Sequence, residues 1–428
     1  DDHQSQITKS ILVLDGVEKI ERNVLPTINN LLENREMHLD SGEFMISAQR
    51  YDALEEGGED VSGLVRVHPD FRVVALGLPV PQFPGNSLDP PLRSRFQSRV
   101  VLPPSAPQLL QEVLLAAPGV PVPLAKRLVT FVQGMLMAAN QKRDSGNMGP
   151  SVPRFPVNAV RTIARIMAAF PRENLVRVMA RSYPAMGRKP APGIDARVIS
   201  VVRRAVETFG LGGLEDTTYG AFGEKTFNAE RGTVSIDFGD SHGPVEAQAG
   251  LALKSLAGDE HDAANSVVEL PLHQEAMCSM FQDHAAGADI LLMGSKGSGK
   301  SVLSRHFARH LGYVPVLFSL FKDQTARDLL QRRATDEKGN TSWEPSPVVE
   351  AAIKGHVVIL DGLDRLSGDT LAVLQRLIVD REVELFDGTR LVSDDVVDME
   401  GGHEKARNVF KVHPSFRIIA LACPPSDS

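Results

Sequence analysis

Residues 288–311 read ADILLMGSKGSGKSVLSRHFARHL, and this stretch carries the strongest fold signal in the chain. The apolar run ILLM is typical of a buried β-strand, and SVLSRHFARHL has apolar residues at helical spacing. Between them lies a loop with the spacing GxxxxGKS, formed by Gly294, Gly299, Lys300 and Ser301. A strand, this loop and a helix in that order predict a site for nucleotide phosphates. The alternative, a glycine-rich turn without a ligand, does not require the flanking strand and helix.

The loop composition predicts the ligands. Bare backbone is needed where the loop wraps phosphates, because a side chain would block their approach. We predict that Lys300 binds the β- and γ-phosphates of a nucleoside triphosphate and stabilises their charge, and that the Ser301 hydroxyl binds Mg²⁺. The dipole of the following helix favours the same anion. The predicted nucleotide-binding residues are Gly294, Ser295, Lys296, Gly297, Ser298, Gly299, Lys300 and Ser301.

A second apolar run, VVILD, ends at Asp361. A carboxylate at the end of a strand downstream of a phosphate loop is suited to hold Mg²⁺ through water. The alternative is that Asp361 only caps the following turn. We predict the metal role, with Ser301 and Asp361 as the metal-binding pair.

The chain contains an internal repeat. ILVLDGVEKI (11–20) recurs as VVILDGLDRL (357–366), and VHPDFRVVALGLP (67–79) recurs as VHPSFRIIALACP (412–424). LLENREMHL recurs between them as LIVDREVEL, and the interval between partners is constant to within one residue. Repeated segments in constant order indicate two copies of one module.

Each copy has the same predicted plan. An apolar strand, a helix, a polar insert and a second apolar strand indicate an α/β fold with a parallel sheet. Because the apolar runs are continuous, we expect the strands to be buried. The opening DDHQSQITKS leads directly into ILVLDG, so we expect the phosphate loop of the first copy to lie upstream of this chain.

Four regions follow from this organisation. We predict the C-terminal part of a first α/β core at 1–105, a helical domain at 106–212, a connector or small β-rich insert at 213–272, and the N-terminal part of a second core at 273–428.

Composition excludes several classes of protein. The net charge of −8 argues against a nucleic-acid backbone as partner, since that needs a basic surface. Two distant cysteines cannot form a disulfide scaffold or a zinc site. No apolar run reaches the length of a membrane span. His273, Cys278 and His284 lie on one predicted helix, where we expect surface or core roles rather than metal binding.

The phosphate loop, acidic strand, polar insert and HPxFR strand together resemble AAA+ ATPases of the MoxR, midasin and dynein-like branch. The resemblance implies P-loop NTPase cores with a helical lid, here two incomplete modules in tandem plus a small β-rich connector. It further implies ATP and Mg²⁺ as cofactors, neighbouring AAA+ modules in the same chain or ring as partners, and a protein client. The stretches beginning TARDLLQRR (residue 325) and ERNVLPTINN (residue 21) resemble a large mitochondrial member of this branch, which implies a mitochondrial location.

The chain departs from the family pattern at the catalytic positions. The family places Glu directly after the acidic-strand Asp, where this chain has Gly16 and Gly362. Two positions later, Glu18 and Asp364 are the candidates to activate water. The polar sensor residue of the later strand is replaced by Leu78 and Cys423, and the lid's sensor arginine by Asn158, with Arg161 or Arg165 as substitutes.

The segment LRSRF supplies a further candidate. In the family, an arginine just before Phe reaches the γ-phosphate of a neighbouring module, which makes Arg95 the first candidate and Arg93 the second. The alternative is a pair of surface arginines on a solvated loop.

Two functions remain open from the sequence. The first is an ATPase whose nucleotide state drives remodelling of a protein client. The second is a nucleotide-gated scaffold that binds ATP with negligible turnover, an option favoured by Gly362 and Cys423.

Overall fold

The computed structural model describes residues 11–21, 24–81, 83, 85–144, 152–186, 194–212, 225–228, 231–236, 245–251, 271–335, 339–393 and 409–424. The chain divides into two compact units, Asp1–Pro103 and Pro104–Ser428. The first unit holds the first copy of the repeat. The second unit holds the helical region and the second copy.

The first unit is built on a two-stranded parallel sheet. Strand Ile11–Asp15 pairs with strand Arg72–Leu76, so that Asp15 lies beside Leu76. A separate sheet contains the strands Met37–His38, Phe44–Ser47 and Leu64–Val67. The helices are Val17–Lys19 and Leu25–Ile28, both 3-10, and Asn29–Glu33, Ala48–Glu56 and Pro90–Ser94, all α-helical.

Strand Ile11–Asp15 is exposed, and the prediction that it is buried was wrong. Ile11 is 61% exposed and Val13 is 52% exposed. The buried cluster against this sheet is small and consists of Val17, Leu25 and Leu92. The apolar run therefore indicated the strand and its parallel pairing but not its burial, because burial requires packing on both faces.

The second unit is centred on a four-stranded parallel sheet. Its strands lie in the order Pro315–Ser319, Val357–Asp361, Arg417–Ala422 and Ile290–Met293. The strand before the glycine loop is thus separated from the strand that ends at Asp361 by one other strand. Because all four run parallel, their carboxyl ends meet at one edge, which is where such sheets bind ligands. The predicted α/β plan with a parallel sheet is confirmed.

Strand Val357–Asp361 is covered on both faces. Its first and third residues belong to a hydrophobic cluster with helix Lys300–His310, and its second and fourth belong to another cluster with helix Pro347–Lys354. All four residues are buried. This two-sided packing explains why the run VVIL is apolar throughout instead of alternating.

Shorter elements complete the second core. Its other α-helices are Pro271–Ala285, Ala326–Leu330, Gly368–Leu371 and Gln375–Val379, with 3-10 turns at Leu363–Arg365 and Ala372–Leu374. An antiparallel hairpin joins Gln331–Thr335 and Thr341–Pro345, and a further sheet contains Val383–Glu384, Arg390–Val392 and Val409–Lys411.

The helical region packs around an aromatic centre. Phe131 makes edge-on contacts with Phe155 and Phe209. The helices are Ala106–Ala116, Val122–Asp144, Ala159–Ala169, Leu175–Ser182 and Ala196–Thr208, followed by the antiparallel strands Lys225–Asn228, Thr233–Ile236 and Val245–Gln248. In the described part of the chain, no helix has the length and hydropathy that a bilayer span requires.

Candidate nucleotide-binding site

The glycine loop joins strand Ile290–Met293 to helix Lys300–His310 at the carboxyl edge of the sheet. The Gly294 N–H donates to the carbonyl of Ala422 at 3.2 Å, which anchors the start of the loop to the neighbouring strand. Gly297 has φ 84° and Gly299 has φ 82°. These left-handed conformations favour glycine, and left-handed residues of this kind occur in anion-binding nests of backbone N–H groups.

The loop is tightly folded at its first glycine. A Cβ at Gly294 would lie 2.8 Å from Ser298 Oγ, so the Ser298 side chain would have to move. The Ser298 N–H donates to the Ser295 carbonyl at 3.2 Å and closes the turn. This closed cradle of backbone fits a phosphate group, which needs donors and close approach.

Lys300 lies across the cradle. Its Nζ donates to the carbonyls of Gly294 at 2.6 Å and Ser295 at 2.9 Å. Lys300 is the first residue of the helix, and these two bonds hold its ammonium group at the loop, within reach of an anion bound there.

Ser301 and Asp361 are brought together from distant parts of the chain. The Ser301 hydroxyl donates to Asp361 Oδ2 at 3.2 Å, and both side chains are half-buried. One hydroxyl and one carboxylate fit Mg²⁺, which prefers oxygen ligands and completes its shell with water and substrate phosphates. Among the described residues there is no cluster of three or more His, Cys, Asp or Glu that would form an all-protein metal cage.

The turn after Asp361 lacks a carboxylate at its first position. Gly362 has φ 93°, and its N–H donates to the Leu421 carbonyl at 3.1 Å. A Cβ there would lie 2.9 Å from Nε of Arg365, whose Nη1 donates to the Leu320 carbonyl at 3.2 Å. The first unit repeats the arrangement, since a Cβ at Gly16 would lie 3.2 Å from Cδ of Lys19.

Asp364 contacts the sensor position directly. Its Oδ1 accepts a hydrogen bond from the Cys423 backbone N–H at 2.9 Å. In the first unit, Glu18 Oε2 accepts from the Leu78 N–H at 3.2 Å. Sequence reasoning selected these two carboxylates but missed their partner, as well as Lys19 and Arg365. The sequence did contain a signal for Lys19 and Arg365, because a basic residue ends the corresponding segments VEK and LDR in the two copies of the repeat.

Comparison with known proteins matches the sequence to a family. The model of the AAA domain (dynein-related subfamily) matches residues 3–96 and 289–428, which together make up more than half of the chain. The chain belongs to the dynein-related AAA family. The two matched segments correspond to the two copies of the repeat, so the predicted AAA+ resemblance is confirmed for both.

Curated relatives agree with this assignment. The chain is 38% identical to mouse (Mus musculus) von Willebrand factor A domain-containing protein 8 over 97% of its own length and 22% of that protein. It is 27% identical to Dictyostelium discoideum midasin over 32% of the chain and 2% of midasin. It is 28% identical to Protein CbbQ of Hydrogenophilus thermoluteolus over 30% of the chain and 42% of CbbQ. The chain therefore spans less than half of each of these relatives.

The predicted arginine finger lies in the first unit of this AAA protein. The Arg95 guanidinium donates to the Glu33 carboxylate and to the Pro91 carbonyl, and the side chain is 22% exposed. Arg93 is exposed on helix Pro90–Ser94. Of the two candidates, Arg95 is thus already held within its own unit.

The predicted lid sensors are surface residues of the helical region. Asn158 precedes helix Ala159–Ala169, and Arg161 pairs with Glu112. Arg165 Nε donates to the Ala116 carbonyl at 3.4 Å. The described contacts of both arginines lie within the helical region.

The histidines have structural contacts. His284 is buried, and its Nε2 donates to the Gln248 carbonyl at 2.7 Å. His273 lies beside the loop, because a Cβ at Gly299 would be 3.6 Å from its Nε2. His68 and His413 each accept a backbone N–H two residues later at 3.1 Å, which stabilises the turn before a strand.

Proposed function

We propose that the second unit binds ATP with Mg²⁺ and hydrolyses the β–γ phosphoanhydride. The observation that carries the proposal is the contact between Ser301 and Asp361 beside a closed glycine loop. Membership of the dynein-related AAA family supports nucleotide binding and the ATPase class.

Each side chain has a role in this proposal. The loop N–H groups and Lys300 bind and orient the triphosphate, and Lys300 stabilises the charge that develops on its oxygens. Ser301 and Asp361 would hold Mg²⁺, which when bound neutralises charge on the β- and γ-phosphate oxygens. The sequence suggested Asp364 as the group that activates water, and in the structure its Oδ1 accepts the Cys423 N–H at 2.9 Å.

The wider role of the protein is part of the proposal. ATP turnover in AAA modules moves core against lid, and here it would remodel a protein client within a larger assembly of modules. Arg95, or the more exposed Arg93, would serve the γ-phosphate of a neighbouring module. The resemblance of the long stretches supports a mitochondrial location.

A nucleotide-gated scaffold is the second candidate function. It is favoured by the turn after Asp361, because Gly362 stands where the family has a catalytic Glu and the Arg365 side chain lies against it. Single-turnover hydrolysis by the full-length protein, measured beside equilibrium ATP binding, separates the two. Binding without hydrolysis supports the scaffold, and hydrolysis supports the ATPase.

The Lys300→Ala variant tests the binding site. Loss of a charge-assisted contact of about 1.5–3 kcal/mol should raise the Kd for ATP by roughly 10- to 100-fold. Lys354→Ala is the control, because Lys354 is 59% exposed and its ammonium group pairs with Glu350 on the same helix. Unchanged ATP affinity in folded Lys300→Ala protein would refute the site.

A further inference from the structure

Both copies of the repeat link the turn after the acidic strand to the end of the neighbouring strand in the same way. In the second unit the Gly362 N–H donates to the Leu421 carbonyl at 3.1 Å, and the Cys423 N–H donates to Asp364 at 2.9 Å. The two bonds run in opposite directions between the same two segments. Together with the backbone between them, the two bonds close a small ring just after the end of strand Val357–Asp361.

The first unit contains the same pair of bonds. The Gly16 N–H donates to the Leu76 carbonyl at 2.9 Å, and the Leu78 N–H donates to Glu18 at 3.2 Å. Glu18 is longer than Asp364 by one methylene and is buried, whereas Asp364 is exposed. Two carboxylates that differ in length and exposure therefore bond the corresponding backbone N–H in each copy.

We propose that Asp364 is a positioning residue, whose carboxylate holds the Cys423 N–H and thereby fixes the end of strand Arg417–Ala422 against the turn that follows Asp361. Glu18 has the same role toward Leu78 in the first unit. We call this bond between a carboxylate and a backbone N–H the acid–amide link. The inference rests on the proposed function, because the link positions residues of the proposed ATP site. It gives Asp364 a role other than activating water.

The link explains the unusual residues at the sensor position. Because the bond is made by the backbone N–H, the side chain at that position is not part of it. Cys423 and Leu78 differ in size and polarity, yet both make the bond.

The link acts on the metal-binding side chain through the strand. Asp361 lies beside Leu421 in the parallel register, and Gly362, the residue after Asp361, donates to the Leu421 carbonyl. Fixing this strand end therefore fixes the backbone that carries Asp361, whose carboxylate contacts Ser301 at 3.2 Å. Loss of the link should weaken Mg²⁺-dependent nucleotide affinity without removing any ligand.

The test compares Asp364→Asn with Asp364→Ala in the whole chain. Asn keeps an acceptor oxygen but has no basic carboxylate, whereas Ala has neither. Amide hydrogen exchange at Cys423, measured without nucleotide, should accelerate by about tenfold or more in Asp364→Ala and much less in Asp364→Asn. Asp380→Ala, which removes an exposed carboxylate away from the link, should leave the Cys423 exchange rate unchanged.

Turnover and its pH profile complete the test. We expect Asp364→Asn to keep the parent's pH profile of turnover and most of the Mg²⁺-dependent ATP affinity that Asp364→Ala loses. Equal exchange in the Asn and Ala variants would overturn the link. Slow exchange with abolished turnover in Asp364→Asn would overturn it in favour of a catalytic base.

The first unit provides a second measurement if Asp364→Ala does not fold. Glu18→Gln should keep slow exchange at Leu78, and Glu18→Ala should accelerate it. Failure of the proposed function is recognised separately. If the parent chain binds no ATP, but Cys423 exchange still accelerates in Asp364→Ala and much less in Asp364→Asn, the link is retained and only the ATP site is refuted.

Discussion

Gly362 occupies the position where a catalytic carboxylate was expected from the family pattern. Its φ of 93° is a conformation that residues with a side chain adopt only with strain, and Arg365 fills the space that a Cβ would enter. The turn is therefore built for glycine, and a carboxylate placed there would need a different backbone.

We expect Gly362→Ala to lower the free energy of unfolding by about 1–2 kcal/mol, because the left-handed conformation is unfavourable for alanine. Gly368→Ala is the matched control, since Gly368 begins a helix and a Cβ there meets nothing within 4 Å. Urea denaturation of both variants measures the difference. Equal stabilities would show that the turn tolerates a side chain.

Three secondary-structure elements of the second unit meet at His284. Helix Pro271–Ala285 carries this residue, and its ring donates to the Gln248 carbonyl at the end of strand Val245–Gln248. The ring also contacts Phe307 of helix Lys300–His310 edge-on. Burial, followed by the nearby charge of Arg417, lowers the pKa of His284 from 6.5 to about 4, while the bond to Gln248 opposes the shift. The ring is thus neutral in the folded protein at neutral pH.

This contact predicts a pH-dependent stability. Above pH 6.5 neither state protonates His284, whereas between pH 6.5 and 4 the unfolded chain binds a proton that the folded chain does not. Stability is therefore lost as the pH falls through this window, by up to about 3 kcal/mol in total.

His284→Gln provides the control for that prediction, because an amide can donate to Gln248 but does not titrate. Subtracting the variant's urea-denaturation curve from that of the parent removes the contribution of carboxylates shared by both. A difference that stays constant from pH 7 to 4 would contradict the predicted role of His284.

At the scale of the whole molecule, the chain consists of two units with the boundary between Pro103 and Pro104. The residues just before the boundary are among the most exposed apolar residues described, with Val101 91% exposed. The glycine loop, Asp361 and the acid–amide link at Asp364 all belong to the second unit.

We expect a protein comprising residues 104–428 to fold on its own and to bind ATP with the affinity of the whole chain. The physical reason is that every predicted ligand and the hydrophobic clusters around them lie within this unit. Circular dichroism and calorimetric titration measure folding and affinity, with Lys300→Ala in the same segment as the non-binding control. A folded 104–428 protein without ATP affinity would mean that the first unit contributes to the site.

The sequence alone was sufficient for the features set by local spacing. GxxxxGKS predicted the cradle because its glycines lie within a few residues of one another and their conformations are local. The repeat predicted two α/β copies because strand and helix periodicities are properties of short segments. The pairing of Ser301 with Asp361 was also anticipated, since the predicted loop and strand share one sheet edge.

Other features arose only when distant segments packed together. The apolar runs of Ile11–Asp15 and Val357–Asp361 look alike, yet the first is exposed and the second is buried, because only the second has large clusters on both faces. Likewise, the spacing of Asp364 suggested a base near the nucleotide, whereas folding places its carboxylate on the Cys423 N–H. Sequence spacing limits where a side chain can reach, but the partner is decided by which strand lies beside it in the folded sheet.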